Sequence, residues 1–193
     1  MNPLTAAVHW LERQRGLDGV AVPVRDLVAR VTSPEPVGDL LGGRWLGHPV
    51  HPLLVHVPLG GWVMAAVVDH LGGPGSEDAA DLLVLTGIVG YVPAAATGAH
   101  DWSSTRGGAT RVGLAHAGLN AVGLALHIGS LAARRSGARP VGIALSTVGL
   151  GAVGVAGYLG GHLAYVNAVG VHGTGERHVS EGPAQEVEIR VRS

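Results

Sequence analysis

Histidine is the residue type in this sequence whose number and placement suggest chemistry. The chain of 193 residues contains eleven histidines, although only 14% of its residues are charged. A neutral imidazole can ligate haem iron, zinc or copper, and it can exchange a proton near neutral pH. The chain has no cysteine, which excludes disulfides and thiolate metal sites within it.

Four polar or small residues of one apolar stretch share a helix face. His116, Asn120, Gly123 and His127 are spaced so that each returns to nearly the same azimuth of a helix. The two imidazoles then lie roughly 16 Å apart along the helix axis. Histidines at two depths of a helical bundle, facing histidines of another helix, suit axial ligation of b-type haem. The side chains that we expect to bind such a cofactor are His51, His56, His116, His162, His127 and Asn120.

Two other interpretations of these side chains stay open. In the structural one, the histidines hydrogen-bond the entry loop and Asn120 bridges neighbouring helices. In the other, imidazole and carboxylate groups form a proton-transfer site or bind zinc, copper or iron without haem. The predicted ligands of that metal site are His48, His51, His116, His162 and Asp101. No HExxH motif is present to indicate a protease.

The elements that must position these residues are four long apolar stretches. They cover residues 52–71, 82–99, 112–133 and 141–169, and about 20 helical residues are enough to cross a bilayer core. The short links between them predict antiparallel neighbouring helices. Pro58 is expected to kink the first helix near His56. The predicted fold class is therefore an all-α integral membrane four-helix bundle with an N-terminal amphipathic helical segment.

Three regions follow from this pattern. Residues 1–45 form the amphipathic segment, 46–171 the four-helix membrane domain, and 172–193 a polar tail in which alternating residues predict a short strand. The N-terminal segment is expected to lie on the membrane surface, to pack against the bundle's end, or to form a solvated hairpin. Both termini lie on one side of a four-crossing bundle, and the positive-inside rule predicts that this side is cytoplasmic. The net charge of −1 and the scattered arginines do not favour nucleic-acid binding.

Glycine is the most unusual feature of the composition, with 32 residues. Many lie in the last two apolar stretches, where Gly157 and Gly161 form a small-xxx-small pair that lets helices approach closely. Close helix packing is the first interpretation of these glycines. The second is that their missing side chains make room for a planar cofactor.

Four sequence motifs resemble a known family. They are GHPVHPLLVHVPLGGW at 47–62, ATGAHDW at 96–102, HAGLN at 116–120 and GGHLAYVNAVGV at 160–171. In this order they resemble the bacterial membrane family DUF2231, a domain of unknown function with four predicted transmembrane helices. The resemblance implies a multi-pass protein of the bacterial inner membrane. The motif positions that match are His48, His51, Asp69, Asp101, His116, Asn120 and His162.

The resemblance also suggests a redox context. Actinobacterial members of the family are often followed by a Rieske [2Fe–2S] domain, and those members tend to carry Asp at the position of His56. This departure favours His51, His116 and His162 as ligands over His56. Because the chain has no cysteine, a separate partner protein would supply the Rieske domain.

The function predicted from the sequence is that of a membrane subunit of an electron-transfer system. It would bind haem b or a transition metal through the clustered histidines and relay electrons between a quinone and a redox partner. The alternatives are a non-catalytic scaffold or assembly subunit, and a metal-ion binding or transport protein. Membrane lipid and a Rieske-type protein are the expected partners. The sequence assigns neither an enzymatic reaction nor an oligomeric state.

Overall fold

The computed structural model describes residues 2–171 of the chain. Within this range the backbone forms helices and turns and contains no strand, which confirms the all-α prediction. The strand predicted in the polar tail lies outside the described residues.

Four helical crossings make up the bundle. The first consists of α4 (His51–Leu54) and α5 (His56–Leu71), and the others are α6 (Glu77–Ser103), α7 (Gly108–Arg135) and α8 (Arg139–Tyr165). Each crossing is long and apolar enough to span a membrane, with a mean hydropathy between 1.3 and 1.7 over its most apolar window. The helix α5 packs mainly against α6, and α7 packs mainly against α8. The predicted membrane four-helix bundle is confirmed.

The first crossing is broken at Val55, between α4 and α5. Pro58 has no backbone N–H, and its ring conflicts with the carbonyl group four residues earlier, at Leu54. The break at Val55 therefore lies where the sequence predicts a kink.

The last crossing ends at Tyr165, four residues earlier than the apolar stretch predicts. The backbone N–H groups of Val166 and Asn167 both bond to the carbonyl of His162, and Ala168 then adopts a positive φ of 54°. Apolar composition continues past the helix, but the backbone turns back towards the end of the bundle.

The N-terminal segment forms three helices that cover one end of the bundle: α1 (Pro3–Glu12), α2 (Asp18–Thr32) and α3 (Val37–Gly42). The Asn2 side chain caps α1 by accepting a hydrogen bond from the Leu4 N–H at 2.9 Å. Arg111 of α7 donates two hydrogen bonds of 2.7 Å to the Asp18 carboxylate, and these hold the pKa of Asp18 below its usual value. Of the three predicted placements, packing against the bundle's end is therefore correct.

Candidate functional site

Two interior histidines bridge neighbouring helices at the end that the N-terminal segment covers, which we call the polar end. The Nδ1 atom of His51 lies 2.9 Å from the carbonyl oxygen of Ala94 on α6. The Nδ1 atom of His116 on α7 lies 2.8 Å from the carbonyl oxygen of Ala156 on α8. Because a carbonyl can only accept, Nδ1 is the protonated ring nitrogen in both side chains.

Asn120 completes the hydrogen bonding of His116. Its amide nitrogen lies 3.1 Å from the His116 Nε2 atom and donates to the His116 carbonyl at 3.0 Å. His116 is thus a neutral imidazole that donates through one nitrogen and accepts through the other. The predicted polar stripe on this helix does bring these two side chains together.

His162 faces the N-terminal segment rather than the other two imidazoles. Its Nε2 atom lies 3.1 Å from the Glu12 carboxylate, to which the Asn167 amide also donates at 3.5 Å. Burial opposes ionisation of Glu12, but these hydrogen bonds and the nearby imidazoles of His162 and His9 hold its pKa below the usual value. This contact ties the end of α8 to α1.

The remaining predicted side chains lie apart. His48 and His56 are exposed, and the Nδ1 atom of His100 lies 3.0 Å from the carbonyl of Thr32 on α2. Asp101 lines a groove of about 970 Å³ at the polar end. Within residues 2–171, no three histidine or carboxylate side chains are placed to hold one metal ion. The structure therefore does not gather the predicted metal ligands His48, His51, His116, His162 and Asp101 into one cluster.

His127 lies deeper in the bundle and stacks on an indole ring. Its ring is parallel to that of Trp62 on α5, with centroids 4.0 Å apart, and its Nδ1 atom lies 2.7 Å from the Gly123 carbonyl. Glycines flank both rings. A Cβ at Gly87 on α6 would lie 2.3 Å from the indole nitrogen, and one at Gly149 on α8 would lie 2.9 Å from the imidazole. All four crossings meet at this stack.

The same arrangement of a planar ring against a glycine recurs at the polar end. A Cβ at Gly98 would lie 2.6 Å from the His51 ring, and one at Gly160 would lie 3.0 Å from the His116 ring. We call each of these positions a glycine notch. At Gly87, Gly98, Gly149 and Gly160 the missing side chain does make room for a planar group, and that group is one of the chain's own rings.

Gly157 and Gly161 behave differently from the interior glycines. No atom of residues 2–171 lies within 4 Å of a Cβ placed at either position. They therefore face outward and do not bring two helices of this chain together, contrary to the expectation from their spacing.

A buried ion cluster at the opposite end was missed by sequence reasoning. The Arg134 guanidinium on α7 contacts the Asp69 carboxylate on α5, with one contact of 2.8 Å, and also contacts Asp81 on α6 at 3.1 Å. Arg139 of α8 contacts the same two carboxylates at 3.3 Å and 2.9 Å. Ser146 accepts a further bond from Arg134 at 3.1 Å. Two positive and two negative charges thereby join all four crossings.

A signal for this cluster is present in the sequence. Asp69, Asp81, Arg134 and Arg139 are charged residues at the ends of apolar stretches, at the same side of the bundle. Charges in such positions normally pair with one another.

The chain matches the model of a known protein family. The model of a family described as "Predicted membrane protein (DUF2231)" matches residues 47–173. No curated protein and no solved structure matches the chain.

Proposed function

We propose that this chain, which belongs to the DUF2231 family of predicted membrane proteins, acts in the membrane as a non-catalytic scaffold or assembly subunit. The observation that supports this role is the use of the interior imidazoles. His51 and His116 bind the backbone of a neighbouring helix, and His127 stacks on Trp62 of another crossing. The side chains that look most suited to chemistry hold the bundle together.

The hydrogen bonds and the packing of these rings support the same conclusion. Polar groups inside a membrane need partners, and the Nδ1 atoms of His51 and His116 find theirs in carbonyl groups of neighbouring helices. The His116 Nε2 atom is already paired with Asn120, and the His51 ring is seated in the notch at Gly98. A porphyrin between these two histidines would have to displace both rings.

The experiment compares an interior histidine with an exposed one. His116→Ala removes the hydrogen bond to Ala156 that joins α7 to α8 and the bond to Asn120 within α7. It also leaves a void beside Gly160, so we expect it to cost about 1–3 kcal/mol of stability. His56→Ala serves as the matched control, because His56 is exposed on the first crossing. Stability is measured by sodium dodecyl sulfate titration of the purified protein in mild detergent, and equal effects of the two substitutions would contradict the proposal.

A second candidate function is the electron-transfer subunit predicted from the sequence. It is favoured by the positions of His51 and His116 at the same end of two separate crossings, where both Nδ1 atoms bond to a carbonyl. This tautomer directs the unprotonated Nε2 towards a metal, although the His116 Nε2 atom would first have to leave Asn120. These two side chains would hold a b-type haem, which supplies one-electron transfer when bound. In that role the protein would pass electrons between a quinone and a Rieske-type partner.

An absorption spectrum separates the two functions. The scaffold role predicts no Soret or α band in reduced protein that was produced with added haem. A Soret band that disappears in both His51→Ala and His116→Ala would instead establish the haem subunit. Elemental analysis of the same preparation tests the third alternative, metal-ion binding or transport.

A further inference from the structure

The helix α2 carries an apolar face that the bundle does not cover. Val20, Val24, Leu27 and Val31 recur at helical spacing, so they lie within about 60° of one another around the helix. We call these four residues the apolar stripe, and their exposed fractions lie between 39% and 65%. Single exposed apolar residues are ordinary, but a contiguous apolar face marks an interaction surface. The scaffold role of the interior histidines does not use this stripe.

A different side of α2 contacts the bundle. Ala21 is buried, and the Arg25 side chain donates a hydrogen bond of 3.1 Å to the Thr105 carbonyl in the link between α6 and α7. By helical geometry, Ala21 and Arg25 lie about 90–130° around the helix from the centre of the apolar stripe. The stripe is therefore uncovered because it faces sideways from the bundle contact.

The two ends of α2 fix the level at which it crosses the bundle. Asp18 pairs with Arg111, three residues after α7 begins, and the Thr32 carbonyl lies 3.0 Å from the Nδ1 atom of His100, three residues before α6 ends. Both contacts lie within one helical turn of the end of a crossing, so α2 runs across the ends of α6 and α7. The 27 residues of α6 span about 40 Å, whereas the hydrocarbon core of a bilayer is about 30 Å thick. The ends of the crossings reach into the headgroup layer, and α2 lies at the same level.

The charges of α2 complement the headgroup layer. Both of its carboxylates are neutralised, since Asp18 pairs with Arg111 and Asp26 pairs with Arg25. Arg30 is exposed and forms no ion pair with a carboxylate of residues 2–171. It lies about 90° around the helix from the centre of the apolar stripe, on the side opposite to the bundle contact. A cation in this position can reach lipid phosphates while the apolar face beside it rests on acyl chains.

We propose that α2 is an interfacial helix that binds the lipid surface around the polar end. Its apolar stripe lies at the boundary of the acyl chains, and Arg30 lies at the level of the lipid phosphates. Trp10 of α1 and Trp45, which follows α3, are 59% and 65% exposed, and tryptophan is typical of this boundary. The proposal goes beyond the scaffold role and does not depend on it.

The test uses the full chain in phosphatidylcholine nanodiscs, with a nitroxide spin label on one introduced cysteine. The chain has no cysteine of its own, so each label reports a single position. Leu27→Cys places the label on the apolar stripe. Gly19→Cys is the matched control, because Gly19 lies on the same helix about 110° from the centre of the stripe, and a Cβ there meets no atom of the described residues within 4 Å.

Power saturation of the spin label compares its collisions with oxygen, which dissolves in lipid, and with a nickel complex, which dissolves in water. The ratio of oxygen to nickel accessibility is expected to be at least about fivefold higher at position 27 than at position 19. Equal ratios would overturn the proposal, because the stripe would then lie in water. Low accessibility to both reagents at position 27 would also overturn it, because a protein surface, such as a second copy of this chain, would then cover the stripe. If Leu27→Cys does not fold, Val20→Cys on the same stripe replaces it, with the same result expected.

Discussion

The ion cluster of Arg134, Asp69, Asp81 and Arg139 leads to a quantitative prediction about stability. The side chains of Arg134 and Asp69 are 0% and 1% exposed, whereas that of Asp81 is 25% exposed. Removal of one partner from a buried ion pair costs about 3–5 kcal/mol, because the other charge remains buried without compensation. We therefore expect Asp69→Asn to lower the free energy of unfolding by about 3 kcal/mol. Asp81→Asn, at the partly solvated edge of the cluster, is expected to cost about 1 kcal/mol.

The assay is reversible unfolding in mixed micelles of mild detergent and sodium dodecyl sulfate, followed by circular dichroism. Arg135→Leu is the control, since Arg135 follows Arg134 directly and is exposed. A double substitution, Asp69→Leu with Arg134→Leu, removes one charge of each sign and leaves Arg139 paired with Asp81. The double variant is expected to lose less stability than Asp69→Leu and Arg134→Leu lose in sum, by about 2 kcal/mol or more.

Two results would refute this reasoning. One is an Asp69→Asn protein that is no less stable than the Arg135→Leu control, which would mean that the cluster is hydrated or absent in the membrane. The other is strict additivity in the double substitution, which would mean that the two side chains do not interact.

Three further predictions concern the packing and the N-terminal segment. Gly87→Ala is expected to lower the free energy of unfolding by about 1–3 kcal/mol, because its Cβ would lie 2.3 Å from the Trp62 indole nitrogen. Gly151→Ala is the control, because a Cβ there meets no atom of the described residues within 4 Å. In the same unfolding assay it should leave the stability unchanged or raise it by up to about 1 kcal/mol. In the folded protein the pKa of Glu12 lies below its ordinary value of 4.5. The stabilisation that the Glu12 carboxylate gives to the docking of α1 is therefore fully present above about pH 4.5, and it is lost as the pH falls through the lower pKa of the folded state. Hydrogen exchange of α1 between pH 3 and 6 measures this loss, and Glu12→Gln should flatten the dependence. Arg111→Leu should raise hydrogen exchange in α1 and α2 with little change in the unfolding of the bundle, and a protected segment in that variant would contradict the docking role of the Arg111 side chain.

The crossings could be predicted from the sequence because the membrane leaves few alternatives. A backbone in hydrocarbon must satisfy its own hydrogen bonds, so a long apolar stretch becomes a helix almost regardless of its side chains. Pro58 marked the break in the first crossing for an equally local reason. The pairing of Asn120 with His116 also follows from spacing on a single helix.

Contacts between helices could not be predicted in this way. They depend on how each helix is rotated about its own axis, and helices that are apolar on all sides carry little periodic signal for that rotation. The sequence therefore placed His51, His116 and His162 at one end but did not indicate that His162 would face Glu12 of α1. For the same reason it did not distinguish Gly149, which faces a ring, from Gly157, which faces outward.

The two ends of the bundle are held by interactions of different strength. At the polar end, neutral imidazole–carbonyl hydrogen bonds join the crossings, and such bonds contribute about 0.5–1.5 kcal/mol each. At the opposite end, a charged cluster joins all four helices through groups that are costly to separate. Local opening should therefore begin at the polar end, while the cluster keeps the helices together at the other. Hydrogen exchange in α7 is then expected to be fastest in its first turns and slowest near Arg134. Because the ion cluster causes this slow exchange, Asp69→Asn should reverse the order.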